Sequence, residues 1–147
     1  MERLVRDTEA ARNWLGSELR ARPRYPTGNR SAAPQSPGVY IVFEGHEIVY
    51  VGSAGHGQNP KRGIRRRLYR QFTRTYLSAV RQGIALELGR EDYRPRNKAE
   101  KDQVLEARID ERLAGLTFTF VQTDTGRIAM RFERLATALL EPRFNRQ

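Results

Sequence analysis

The stretch GVYIVFEGHEIVYVG, residues 38–52, constrains this chain more than any other. Two β-rich runs, 39–43 and 47–51, close around Glu44-Gly45-His46, the pattern of an antiparallel hairpin. Alternation puts Val39, Ile41 and Phe43 on one face and Tyr40 and Val42 on the other. In the partner strand, Ile48 and Tyr50 share a face opposite Val49 and Val51. Gly38 and Gly52 flank the pair, and glycine within a strand signals close approach by another backbone or a ligand.

The rest of the chain supplies helices and one more strand. Residues 2–20 set Leu4, Val5, Ala11, Trp14, Leu15 and Leu19 among charges at helical spacing, and Pro23 closes the segment. From Arg22 to Pro37 four prolines and no periodicity predict an arm that orders only against a partner, with Arg22, Arg24, Tyr25 and Arg30 available to a phosphate backbone. A plain surface connector explains it equally. Ser53 to Gly63 is glycine-rich and reads as a loop. Ile64, Leu68 and Phe72 then predict a helix over 62–82 with an apolar back and an arginine front.

Residues 83–97 read as irregular, 98–113 as a helix and 116–122 as a strand. The last helix carries Ile128, Phe132, Leu135, Ala136, Leu139 and Leu140 and stops at Pro142. The sum is an α+β fold, a small three-stranded antiparallel sheet flanked by helices. Residues 1–37 form a leading helix and Pro-rich arm, and residues 38–147 one domain with an inserted helical segment, 74–115.

Composition narrows the chemistry. With 147 residues the chain holds one core; it has no cysteine and only His46 and His56, which excludes disulfide scaffolds, thiol catalysis, zinc ribbons and histidine-rich metal cages. No apolar run approaches the roughly 18 residues of a membrane span, and no apolar block follows Met1, so a cytoplasmic protein is expected. The net charge is +10, and only Lys61, Lys98 and Lys101 among the 27 cations are not arginine. Arginine grips phosphate bidentately, although a GC-rich genome produces the same bias. Position separates the two. Lys61, Arg62, Arg65, Arg66, Arg67, Arg70 and Arg74 fall within 61–74 without an acid, a patch of +7 suited to a polyanion. The charges of 98–114 nearly cancel and read as an ordinary solvated helix face.

Some polar residues sit where packing alone would not put them. Tyr40 and Tyr50 lie across the hairpin from each other. Arg67, between Ile64 and Leu68, falls on the border of the apolar stripe and is expected to be half-buried and to need an anion. Glu133 has the same placement on the last helix, where a charge is costly unless paired or metal-bound. A structural ion pair between Arg67 and Glu133 accounts for both residues; so does a functional site.

These residues also spell a known constellation. Gly38-Val39-Tyr40 followed by Tyr50-Val51-Gly52 resembles the two-part signature of the GIY-YIG nucleases, itself a hairpin. Ile64-Arg65-Arg66-Arg67-Leu68 resembles that family's helix, with its essential arginine at Arg67. Glu133, then Pro142 and Asn145, is similar to its closing motif. The match covers about 38–72 and 126–145. It departs at Gln71, where many members carry histidine, and in the loop 53–63, which holds His56 and Lys61.

The resemblance implies a divalent-metal-dependent endonuclease that hydrolyses DNA phosphodiesters, with a compact, stand-alone restriction-type enzyme as the form expected. Repair or mobile-element nickases and a non-catalytic nucleic-acid-binding module are the alternatives. Glu133 would hold Mg²⁺ or Mn²⁺, Tyr50 would act as general base with Lys61 or His56 assisting, and Arg67 would bind the scissile phosphate. Tyr40 and Asn145 would orient these groups, and Arg62, Arg65, Arg66, Arg70 and Arg74 would hold the strand. A double-strand break from one site per chain implies a homodimer or two successive nicks, with Tyr25, Tyr76 and Tyr93 as the aromatic residues in the segments left for an interface.

Overall fold

A computed structural model of the chain describes residues 1–55, 63–74, 78–93 and 102–145. In chain order its elements are helix α1 (Glu2–Arg20), strand β1 (Tyr25–Pro26), hairpin strands β2 (Gly38–Glu44) and β3 (Glu47–Ala54), helices α2 (Ile64–Phe72), α3 (Ala79–Glu87) and α4 (Gln103–Ala114), strand β4 (Thr117–Gln122) and helix α5 (Gly126–Leu140). Single 3₁₀ turns occupy Arg30–Ala32 and Arg143–Asn145. The strands form one antiparallel sheet in the order β1-β4-β2-β3, which leaves β3 at an edge and β2 buried inside.

The sheet is covered on both faces. Leu15 and Leu19 of α1 and Ala129 and Ala136 of α5 pack on Val39, Ile41, Phe43, Ile48 and Val51. On the other face α2, α3 and α4 bring Ile64, Leu68, Val80, Ile84 and Ile109 against Tyr40, Val42, Val49 and Phe118. Burying a phenylalanine or isoleucine stabilises by about 1.5–3 kcal/mol relative to leaving it in water, so these two layers hold the sheet. The polar residues that begin three of the helices follow capping chemistry. Ser78 accepts from Arg81 N (3.1 Å), Asp102 from Val104 N and Leu105 N (3.0 and 3.1 Å), and Thr125 from Ile128 N (3.2 Å).

The architecture departs from the sequence expectation in four respects. Among the described residues the sheet has four strands and not three, because Tyr25–Pro26 of the arm pairs with Phe118 and Thr117 of β4. Proline is tolerated at such an edge, where no partner needs its missing N–H. The arm is therefore ordered on the protein itself: Arg22 Nε donates to Phe120 O (2.9 Å), Arg24 Nη1 to Gly45 O (2.8 Å) and Thr27 Oγ1 to Leu113 O (3.2 Å). Tyr25 stacks 6.0 Å from the Phe120 ring.

The helix expected over 62–82 is two helices. Thr73 turns extended (φ −110°, ψ 155°) and Ser78 starts α3, which continues to Glu87 through the segment read as irregular. Finally, α4 is not a plain solvated face. Glu106 is buried and forms an ion pair with the fully buried Arg81, which also binds Asp110 (2.8 Å) and donates to the Tyr93 hydroxyl (3.0 Å). No helix among the described residues is long and apolar enough to cross a membrane.

A candidate active site at the edge strand

The site begins with a register shift. Pairing runs Tyr40↔Gly52, Ile41↔Val51 and Val42↔Tyr50, then jumps to Phe43↔Ile48, so Val49 is the extra residue of a β-bulge. The bulge flips the phase of β3. Ile48 and Val51 face α1 and α5, while Val49 and Tyr50 both face α2, against the simple alternation expected from the sequence. It is this flip that brings Tyr50 to the face of Tyr40, with ring centroids 6.0 Å apart. Gly52 is required beside them, since a Cβ there would overlap the Tyr40 ring and hydroxyl. Gly38 meets the same limit from β4, where a Cβ would collide with Val121 O.

The two hydroxyls form a small polar network inside an apolar layer. Gln71 Nε2 donates to Tyr40 OH (3.0 Å) and reaches Tyr50 OH at 3.5 Å. Its own Oε1 accepts from Ser78 Oγ (2.9 Å), which fixes the direction of the amide. Tyr40 donates onward to Tyr50. Burial pushes the Tyr40 hydroxyl well above its ordinary pKa, and neighbouring Tyr50 adds to the rise while Arg67 opposes it. Burial likewise raises Tyr50. There the hydrogen bond from Tyr40, then Arg67 and Gln71, pull the other way, and the negative Glu133 pushes it up.

Ser53 is the hub where two helices from opposite faces of the sheet meet. Its side chain points toward α5 and donates a short hydrogen bond to Glu133 Oε2; its carbonyl points off the open edge and accepts from Arg67 Nε of α2 (3.4 Å). Arg67 and Glu133 are each half-buried, as their border positions imply. They do not pair with one another. Among the described residues neither makes an ion pair, whereas Arg74, Arg81, Arg112 and Arg143 all do.

Asn145 closes the edge. Its Oδ1 accepts from Val51 N and its Nδ2 donates to Val51 O, both at 2.9 Å, so one side chain substitutes for a neighbouring strand. The amide is thereby committed to backbone, and Asn145 acts on the site by fixing β3 between Tyr50 and Ser53.

The remaining residues singled out from the sequence divide. Arg66 is exposed and Arg70 partly so on α2. Arg65 is tied to the arm, donating to Ala33 O (2.8 Å) and Ser31 O (3.2 Å). Arg74 turns away from the patch into an ion pair with Asp110. Tyr25 and Tyr93 are packed internally. Lys61, Arg62, His56 and Tyr76 lie outside the described residues. Sequence reasoning passed over Ser53 and gave Gln71 only as a departure. Ser53 directly follows the Tyr50-Val51-Gly52 run, and period two from Val51 places both residues on one face of β3.

The oxygens gathered here are hard donors: a carboxylate, a serine hydroxyl and two phenols. No group of three or more His, Asp or Glu side chains placed to hold a metal ion occurs among the described residues. A cation at Glu133 would therefore have one protein carboxylate and would complete its shell with water and substrate oxygens, which suits Mg²⁺ or Mn²⁺. No family model, no curated protein and no solved structure matches this chain.

Proposed function

We propose that this chain is a divalent-metal-dependent endonuclease of the GIY-YIG kind that hydrolyses DNA phosphodiesters. One observation carries the reading: Arg67 and Glu133 converge on Ser53 beside a tyrosine pair without neutralising each other. A half-buried cation and a half-buried carboxylate held apart within one site are costly for folding. They are useful for binding a phosphodiester and a metal ion side by side.

In this mechanism Arg67 binds the scissile phosphate, and its hold strengthens as charge builds on the phosphoryl oxygens. Glu133, oriented by the Ser53 hydroxyl, holds the metal. A divalent ion held there would supply charge neutralisation to the phosphodiester. Tyr50 Oη is the proton acceptor for the attacking water. Hydrogen bonds from Tyr40 and Gln71 fall on that oxygen and favour its phenolate, while burial opposes it. Tyr50 therefore needs a further cation nearby to work near neutrality, a part suited to the metal's charge and to Lys61. Tyr40, buried and already donating to Tyr50, positions and does not transfer.

The test is incubation of supercoiled plasmid with the protein, with and without Mg²⁺ or Mn²⁺. Metal-dependent nicked or linear product from the wild type, and none from Glu133→Gln, is the expected result. Binding without cleavage in either metal would leave a nucleic-acid-binding module and end the nuclease reading. The time course also reads assembly, since one site cuts one strand. Linear product without a nicked intermediate requires a dimer, which sedimentation on the duplex would detect.

A further inference from the structure

The arm and α2 enclose a second concave feature, apart from the Tyr50–Glu133 site, whose helix wall includes arginines that the nuclease reading gives only a general strand-holding part. It is a cavity of about 610 Å³ with Arg30 and Gln35 on the arm side and Arg65, Arg66, Tyr69 and Arg70 on the helix side. At 100° per residue, Arg65 and Tyr69 share the face of α2 opposite Arg67, so this cavity and the Glu133 site open on different sides of one helix.

Among the described residues, no acidic side chain lines it. Among the described residues Arg30, Arg65 and Arg66 enter no ion pair, whereas Arg74, Arg81, Arg112 and Arg143 each meet two or more carboxylates. Three or more guanidiniums around one concavity repel each other unless an anion sits among them.

The walls are preformed. Arg65 reaches back to the carbonyls of Ala33 and Ser31, while the first amides of α2 are taken by the arm, Ile64 N by Ser36 O and Arg65 N by Pro34 O, both at 3.1 Å. Gly63 is required at this junction because a Cβ there would overlap the backbone of Gln35 and Ser36. Because the helix N-terminal amides are already satisfied, the anion would be held by side chains and not by the helix end.

The cavity is also more than a phosphate cradle. Its volume falls in the about 300–1,000 Å³ range of small-molecule sites, several times that of a phosphate ion. Tyr69 presents an aromatic ring that is 44% exposed, with the Arg30 guanidinium stacked 5.0 Å from its centroid. Arginine stacked on tyrosine forms a platform on which a nucleobase lies flat, and the Gln35 amide stands at the same wall as donor and acceptor. We infer that the pocket between the arm and α2 binds one nucleoside monophosphate unit, its phosphate among Arg30, Arg65 and Arg66 and its base over Tyr69. The unit comes from an unpaired, 5′-phosphorylated end of a nucleic-acid strand or from a free nucleotide. The inference stands on the cavity and does not depend on the nuclease reading.

Calorimetric titration of the full chain in EDTA, which prevents cleavage, tests it with dAMP, inorganic phosphate and deoxyadenosine. We expect dAMP to bind at least about tenfold more tightly than either fragment. Arg30→Gln should weaken dAMP about tenfold, and Tyr69→Leu should erase its advantage over inorganic phosphate, with melting temperatures checked for both variants. Equal affinity for dAMP and phosphate, or undiminished dAMP binding by folded Arg30→Gln, overturns the inference. A 5′-phosphorylated single strand that binds more tightly than its unphosphorylated twin and than dAMP identifies a strand end as the source; dAMP binding more tightly than the strand identifies a free nucleotide. Glu133→Gln should bind dAMP as the wild type does, so failure of this pocket and failure of the nuclease assignment are read in separate assays.

Discussion

Two sets of arginines in this fold have opposite electrostatic fates. Arg74 and Arg81 face Glu106 and Asp110 of α4, and Arg112 and Arg143 face Glu44 and Glu87 where β2, α3 and the last turn meet. Arg30, Arg65, Arg66 and Arg67 are held by carbonyls, an aromatic ring or nothing charged at all. The first set spends its charge on the protein. The second keeps it for something that arrives. The single basic run of 61–74 contains members of both sets, Arg65, Arg66 and Arg67 of the second and Arg74 of the first, so charge counts alone do not reveal which arginines are available.

The contrast predicts that the same substitution has different consequences in the two sets. The largest effect belongs to the buried pair. Glu106→Ala leaves the fully buried Arg81 with only the partly exposed Asp110 as carboxylate partner and should cost about 3 kcal/mol of unfolding free energy. Urea denaturation reads this directly, and a change near zero would mean that the pair is not buried in solution. Next comes the site. Arg67→Ala and Glu133→Gln should reduce cleavage by about 10²–10³-fold, the scale seen when one preorganised transition-state contact is lost. Because neither residue is paired, their melting temperatures should stay at or above that of the wild type. If both variants unfolded instead, the contrast between paired and unpaired charges would collapse.

What the sequence left out is instructive about range. The hairpin, the apolar face of α2 and the border positions of Arg67 and Glu133 are local patterns, and periods of two and 3.6 reveal them. The bulge at Val49 is not local. No turn residue marks it, and only the need to face α2 with Tyr50 while Ile48 stays beneath α5 selects it. The break between α2 and α3 was hidden because Phe72, Val80 and Ile84 continue an apolar spacing across it, while the Ser78 cap looks like any serine. Glu106 became a core residue through Arg81, twenty-five positions away, a pairing that no one-dimensional pattern contains. The tyrosine network likewise needed Gln71 and Ser78 in space, although each of its members was visible as a letter.

A smaller effect separates binding from folding on α2. Arg66→Ala with Arg70→Ala should flatten the log–log dependence of duplex affinity on salt by about 2, one counterion per lost phosphate contact. Arg74→Ala should leave the slope unchanged and lower stability instead, because its guanidinium is engaged by Asp110. Anisotropy titrations across a salt series decide it, and an unchanged slope in the double variant would move the footprint off this helix.

The smallest effect is expected in acid, and it belongs to the paired set alone. Burial opposes ionisation of Asp110 and Glu44, but hydrogen bonds and charge from Arg74 and Arg81 in one case, Arg112 and Arg143 in the other, outweigh it and hold both carboxyls below their ordinary values of 3.8 and 4.5. A depressed folded pKa favours the native state above the unfolded value, and that stabilisation is lost as pH falls through both values. The loss should therefore begin below about pH 5 and deepen toward pH 3. Both side chains keep partial contact with water, so each contributes less than about 1 kcal/mol. Thermal melts from pH 7 to pH 3 should show the wild type falling faster than Asp110→Asn with Glu44→Gln, which starts lower and declines less. Parallel profiles would mean that these carboxylates are not tied to their arginines, and the division into spent and available arginines would lose its electrostatic basis.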